Sequence, residues 1–183
     1  MKWIKMIFCF AVIISLTASC IKYNLYDDNG NPVYKDYYHA IQFSYPEGWQ
    51  VETKEGDGSI YVVPAEYSGD NKPQIRLGVV YDKKSDEKSN DENLEEYIND
   101  IKNTYLDVEI IGFGTKENTA GNSTQYVKYK YTDSSGKHFY ASDRIVDAGA
   151  LTLFGLARCD QTEGELYDKH FDITLDTLTV FSN

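Results

Sequence analysis

The side chains of this 183-residue chain that could do chemistry are three histidines, one mid-strand cysteine, an acidic turn and a tryptophan. Zinc needs imidazoles or thiolates at short, fixed spacing. His39, His138 and His170 form no His-x-x-x-His pattern, and none sits beside a Cys-x-x-Cys pair. Acyl transfer needs an activated serine, and Gly56-Asp57-Gly58-Ser59 lacks the glycine that follows the serine in a nucleophile elbow. No phosphate-cradling loop or dinucleotide fingerprint occurs, so no cofactor is expected. Cys159 shares the alternation of Leu151, Leu153 and Ala157 and reads as a buried, inert thiol.

Two candidates remain. With Gly30 at the sixth position of a calcium loop, Asp27, Asn29 and Asn31 fall at ligand positions, but Leu25 stands where the first oxygen ligand belongs. Asp27, Asp28 and Asn29 are therefore metal candidates, set against a hairpin turn closed by Asn29-Gly30. Trp49 follows Pro46 and Gly48, which suits a core plug; an aromatic binding platform is its alternative role.

The N-terminus concerns location. Lys2 and Lys5 precede an apolar run from Met6 to Leu16, too short for the ~20 apolar residues of a membrane span. Small residues then lead to Cys20, the order of a secretory signal peptide. Leu16-Thr17-Ala18-Ser19-Cys20 resembles a bacterial lipoprotein lipobox, with leucine one place earlier than usual. That resemblance implies removal of residues 1–19 and lipidation of Cys20. The domain would then sit in the bacterial cell envelope, outside the cytoplasm and anchored to a membrane by lipid. Two or more acyl chains, at ~0.8 kcal/mol per buried CH₂, give stable anchoring.

Charge fits a lipid anchor better than an electrostatic one. The net charge of −11 becomes more negative once Lys2 and Lys5 leave with the leader. Such a surface repels phosphate backbones and anionic head groups, so no nucleic-acid partner is expected.

Residues 20–36 read as a lipidated N-terminus and tether, and 37–183 as one domain. Ile41, Phe43 and Tyr45 alternate as a strand ended by Pro46; Trp49 and Val51 start another. Ser59 to Val63 and Gln74 to Tyr81 follow as strands, and residues 82–93 as a solvated loop capped by Asn90 or Asp91. Leu94, Tyr97, Ile98, Ile101 and Tyr105 form one helical stripe. Val108 begins a further strand whose regularity Gly112 and Gly114 should break. Gln125 to Tyr131, Lys137 to Val146 and Ala150 to Arg158 alternate as hairpin-connected strands, which makes the sheet largely antiparallel. A capping box at Thr162 predicts a last helix, marked by Tyr167, Phe171, Leu175 and Leu178 and ending near Leu178.

Phe43-Ser44-Tyr45-Pro46-Glu47-Gly48-Trp49 and this element order resemble the PsbP-like family, over Tyr37 to Asn183. The resemblance implies an α+β fold: an α/β/α sandwich whose largely antiparallel central sheet is flanked by helices. Its members include a photosystem subunit, a Ran-binding nuclear-import factor and bacterial lipoproteins. It further implies a non-enzymatic binding or structural module for a protein or envelope component. A divalent-cation or small-ligand receptor is the alternative, and a hydrolase ranks last.

Overall fold

Period-two alternation dominates this chain, and it folds into two sheets. The structure, a computed structural model, describes residues 25–53, 59–80, 90–149 and 151–181, with the side chains of 25 and 90–92 outside that description. The elements in chain order are β1 (Leu25–Tyr26), β2 (Pro32–Asp36), β3 (Ile41–Ser44), β4 (Trp49–Thr53), β5 (Ile60–Pro64) and β6 (Gln74–Val80). After α1 (Asn90–Thr104) come β7 (Leu106–Glu117), β8 (Ser123–Thr132), β9 (His138–Asp147) and β10 (Thr152–Asp160). A 3-10 turn (Gln161–Glu163) then leads into α2 (Gly164–Leu175) and β11 (Thr179–Val180).

The larger sheet has the order β4-β5-β6-β10-β9-β8-β7 and the smaller one β1-β2-β3-β11. All strand pairs among the described residues are antiparallel. Alternation assigns the two faces of the larger sheet. Odd-numbered Val127, Tyr129, Tyr131, Phe139 and Ala141 bury the Leu94, Ile98 and Ile101 stripe of α1. Even-numbered Lys128, Tyr140 and Arg144 bond instead to aspartates of α2 and the residue after it. Helices on both faces of an antiparallel sheet make this an α+β layered fold. The smaller sheet joins the α2 side, where Ile41, Phe43, Phe171, Leu175 and Leu178 share one core with Trp49. Among the described residues no helix is long and apolar enough to cross a membrane.

Three expectations change. Residues 25–36, read as a tether, are sheet: β2 pairs with β3 from Val33↔Ser44 to Asp36↔Ile41, so a domain boundary after residue 36 would cut a hairpin. Strand β7 shows the expected break in regularity at Gly112, a register shift between Ile110 and Gly112, while Gly114 pairs regularly with Tyr126. The capping box does not form: Asp160 caps the 3-10 turn, accepting from Thr162 N–H at 3.0 Å, and Glu163, at the N-cap of α2, makes no side-chain cap bond. That helix stops at Leu175, because Thr179 and Val180 pair with Gln42 and Ile41. The ring of His170, on α2, stacks on Trp49 at 5.9 Å and 18°. Most of the loop expected at 82–93, and the capping side chains of Asn90 and Asp91, lie outside the described residues.

Candidate functional site

Helix α1 covers only part of its sheet face. Its apolar stripe seats on β8 and β9, while the same face continues across β10, β6 and β5. The register sets two rows of side chains on that floor. One runs Tyr61, Arg76, Leu156, Asp143; the other runs Gln74, Arg158, Ala141, Tyr129. The flank of α1, with Tyr97, Asp100 and Ile101, forms the wall. Between them lies a cleft of about 410 Å³. Ala141 helps to open it, since a methyl group stands where the next row places Phe139.

Asp143 marks the inner end. It is buried, and its Oδ2 accepts from the hydroxyls of Tyr97 at 2.8 Å and Tyr129 at 2.9 Å. Burial pushes its carboxyl up to about 6, against the pull of those two hydroxyls and of Arg144. The same burial, next to that carboxylate, holds both phenols well above their ordinary value.

The outer floor carries positive charge. Arg76 is exposed, and its Nε donates to Ser59 Oγ at 2.9 Å. Arg158 lies over the Phe139 ring at 5.5 Å. With the Gln74 amide oxygen turned towards it, Arg158 donates from Nε at 2.5 Å and from Nη2 at 2.6 Å. Both anchors are neutral. Among the described residues neither guanidinium meets a carboxylate, whereas Arg144, Lys116 and Lys128 are each paired with one or two.

The residues singled out in the sequence lie elsewhere. Cys20 falls outside the described residues. Asp27 Oδ1 accepts from the N–H groups of Asn29 at 2.9 Å and Asn31 at 2.8 Å, so that carboxylate caps the β1–β2 turn. Burial is the largest single influence and raises its pKa, but the bonds from Asn31, Ser44 and Asn29 together outweigh it and hold the group below its usual value. Asp27, Asp28 and Asn29 line a second recess, of about 430 Å³, with Thr119 and Thr177, and no metal-holding group of three His, Cys, Asp or Glu occurs among the described residues. Trp49 is buried among Tyr167, His170 and Phe171, with one ring face covered by His170, so the indole offers little surface for a ligand to stack on. Cys159 faces the α2 core, and the lining of the cleft includes neither cysteine nor histidine.

No family model and no curated protein matches the sequence. Solved structures do match the fold. LpqN of Mycobacterium tuberculosis, described as involved in cell envelope biogenesis, aligns at 12% identity and TM-score 0.60, over 86% of this chain and 89% of its own. Cyanobacterial PsbP of Synechocystis aligns at 12% identity and TM-score 0.57, over 81% and 91%. The Ran-binding protein Mog1p of Saccharomyces cerevisiae aligns at 12% identity and TM-score 0.52, over 80% and 86%. The fold is PsbP-like. At this identity the likeness concerns backbone architecture, and the function of each neighbour remains its own.

Sequence reading missed Arg76, Arg158, Asp143 and Tyr97. One signal was available: Asp143-Arg144 interrupts an otherwise apolar strand, and a charged pair there sends one group to each face of a sheet. The cleft itself needs the register of five strands and the docking of α1, which no local pattern contains.

Proposed function

We propose that this chain is a cell-envelope lipoprotein, held at a membrane by acylated Cys20, whose PsbP-like domain is a non-enzymatic module that binds a small ligand or envelope component in the α1 cleft. The observation that carries this reading is the cleft: about 410 Å³, within the size range of small-molecule sites, with polar groups converging on an aromatic lining. A hydrolase would want a nucleophile beside a base. The cleft offers tyrosines, arginines and a carboxylate already engaged by two phenols. The role of the mycobacterial neighbour in cell envelope biogenesis supports the envelope setting. The anchor follows from the Cys20 leader and from an acidic chain that cannot adhere to anionic lipid by charge.

Of the alternatives, a small-ligand receptor agrees with this cleft. The divalent-cation version does not gain from the structure, because the Asp27 carboxylate is taken up by its own turn.

Cell fractionation tests the anchor. The natural protein should sediment with membranes and Cys20→Ala should move to the soluble fraction; a variant that stays with the membrane overturns the lipid-anchor reading. Turnover by the purified chain on generic ester, phosphate or glycoside substrates would overturn the non-enzymatic one.

A further inference from the structure

Resting on the cleft reading above, we infer that the floor between Arg76 and Arg158 binds the anionic end, a carboxylate or a phosphate, of a small ring-bearing ligand.

The first support is where charge is left over. In a chain with 29 acidic and 18 basic residues, an uncompensated cation on a sheet face is the exception. Two of the three acidic groups near this face are engaged. Glu52, beside Tyr61 in the register, meets Lys72 at 3.8 Å and accepts from Gln50 at 2.9 Å. Asp143 is turned under α1 and engaged by two hydroxyls. The third, Asp100, stands exposed on the helix wall. Among the described residues no carboxylate pairs with Arg76 or Arg158.

The second support is preorganisation. Arg158 opposes Gln74 and Arg76 opposes Leu156, so the two arginines sit diagonally on adjacent strands of one face. Diagonal cross-strand neighbours lie ~7–8 Å apart at the backbone, a span that two guanidinium groups can close around one oxyanion. Each is fixed through Nε by a neutral group, Ser59 or Gln74, and Arg158 also by the Phe139 ring. Arg158 also bonds the Tyr131 hydroxyl, another neutral partner, and no acceptor among the described residues takes the Nη atoms of Arg76. Planar guanidinium forks suit the paired oxygens of carboxylate and phosphate.

The third support is what adjoins the charged end. Inward from the arginines the floor becomes Leu156 and Ala141, and the wall becomes Tyr97, Tyr105 and Ile101. Such surfaces take a ring and not a hydrated ion alone.

The test is a titration of the isotope-labelled full chain in detergent solution, read at the arginine Nε–Hε resonances. Sodium benzoate and phenyl phosphate are the probes, and benzyl alcohol is the uncharged control. One or both anions should shift Arg76 and Arg158 saturably, and the anion that does so names the ligand class. The double variant R76Q/R158Q should weaken that anion at least tenfold, as two charge-assisted contacts are lost. No saturable shift with either anion at tens of millimolar overturns the inference, as does a response to benzyl alcohol equal to that of the anions. Should the double variant fail to melt cooperatively, the natural-sequence titration against benzyl alcohol still decides. Failure here leaves the Cys20 fractionation result untouched, and failure there leaves this titration untouched.

Discussion

The Tyr97 hydroxyl donates to Asp143 Oδ2 at 2.8 Å, fastening the exposed flank of α1 to the middle of the sheet. Tyr129 donates to the same oxygen at 2.9 Å. A carboxylate is thus buried among neutral donors, the two hydroxyls and the Ala157 N–H, with Arg144 the nearby cation.

That setting gives a pH dependence with a definite sign. Burial raises Asp143 to about 6 from an ordinary 3.8, so between those values the folded chain binds more protons than the unfolded one. Its contribution is fully present below about pH 4 and is lost as pH rises through 6, a change of roughly 3 kcal/mol. Urea unfolding between pH 4 and 7 should show the natural protein losing stability relative to Asp143→Asn. A difference that stays flat across that range would refute the assignment.

On the opposite face, Arg144 is 1% exposed and bonds Asp172 at 2.6 Å and Asp176 at 3.1 Å. The two aspartates are 34% and 22% exposed, and they keep Lys128 and Lys116 when the arginine is removed. Arg144→Met should therefore cost only about 2 kcal/mol, less than the ~3–5 of breaking a buried pair from one side. The double variant D172A/D176A strands the buried guanidinium and should reach that larger figure. Chemical denaturation compares them; equal losses would contradict this account.

Gly155 is the contact point of α2 on the sheet. A methyl added there would run into Leu175 Cδ2 and meet Leu77 Cδ2 at 3.1 Å, both on fully buried side chains. Gly155→Ala should cost about 1–3 kcal/mol through overpacking. Pairing it with Leu175→Ala should give a loss smaller than the sum of the two single losses, by thermal melting with circular dichroism. Strict additivity would disprove the clash.

Cys159 should be chemically quiet. Burial, helped by the Glu163 and Asp160 carboxylates, pushes its thiol up to about 12. Iodoacetamide at pH 8 should leave the Cys159 peptide unmodified in the folded chain and label it fully in urea. Rapid labelling without denaturant would show a thiol nearer the surface.

How far the sequence carried the reading depended on the range of the interactions. The strands from Gln125 to Arg158 were legible because each alternates over nine or ten residues and is joined to the next by a short turn. Helix α1 was legible because its stripe repeats locally. The end of α2 was not: Thr174 to Leu178 satisfies helix and strand patterns alike, and β3, whose Gln42 pairs with Thr179 far along the chain, supplies the competing pairing. Trp49 was open between core and platform until His170 and Phe171 came over it from α2.

By itself the sequence determined the antiparallel α+β class, the acidic balance and the β1–β2 turn, and it carries the leader-like residues 1–19 on which the proposed anchor at Cys20 rests. These rest on periodicity, net charge and neighbours within a few positions, which a linear chain displays directly. Only the tertiary structure decided that Arg76, Arg158, Tyr97 and Asp143 border one cleft. They come from three strands and a helix, and the strand register, together with how far α1 extends across the sheet, brings them together.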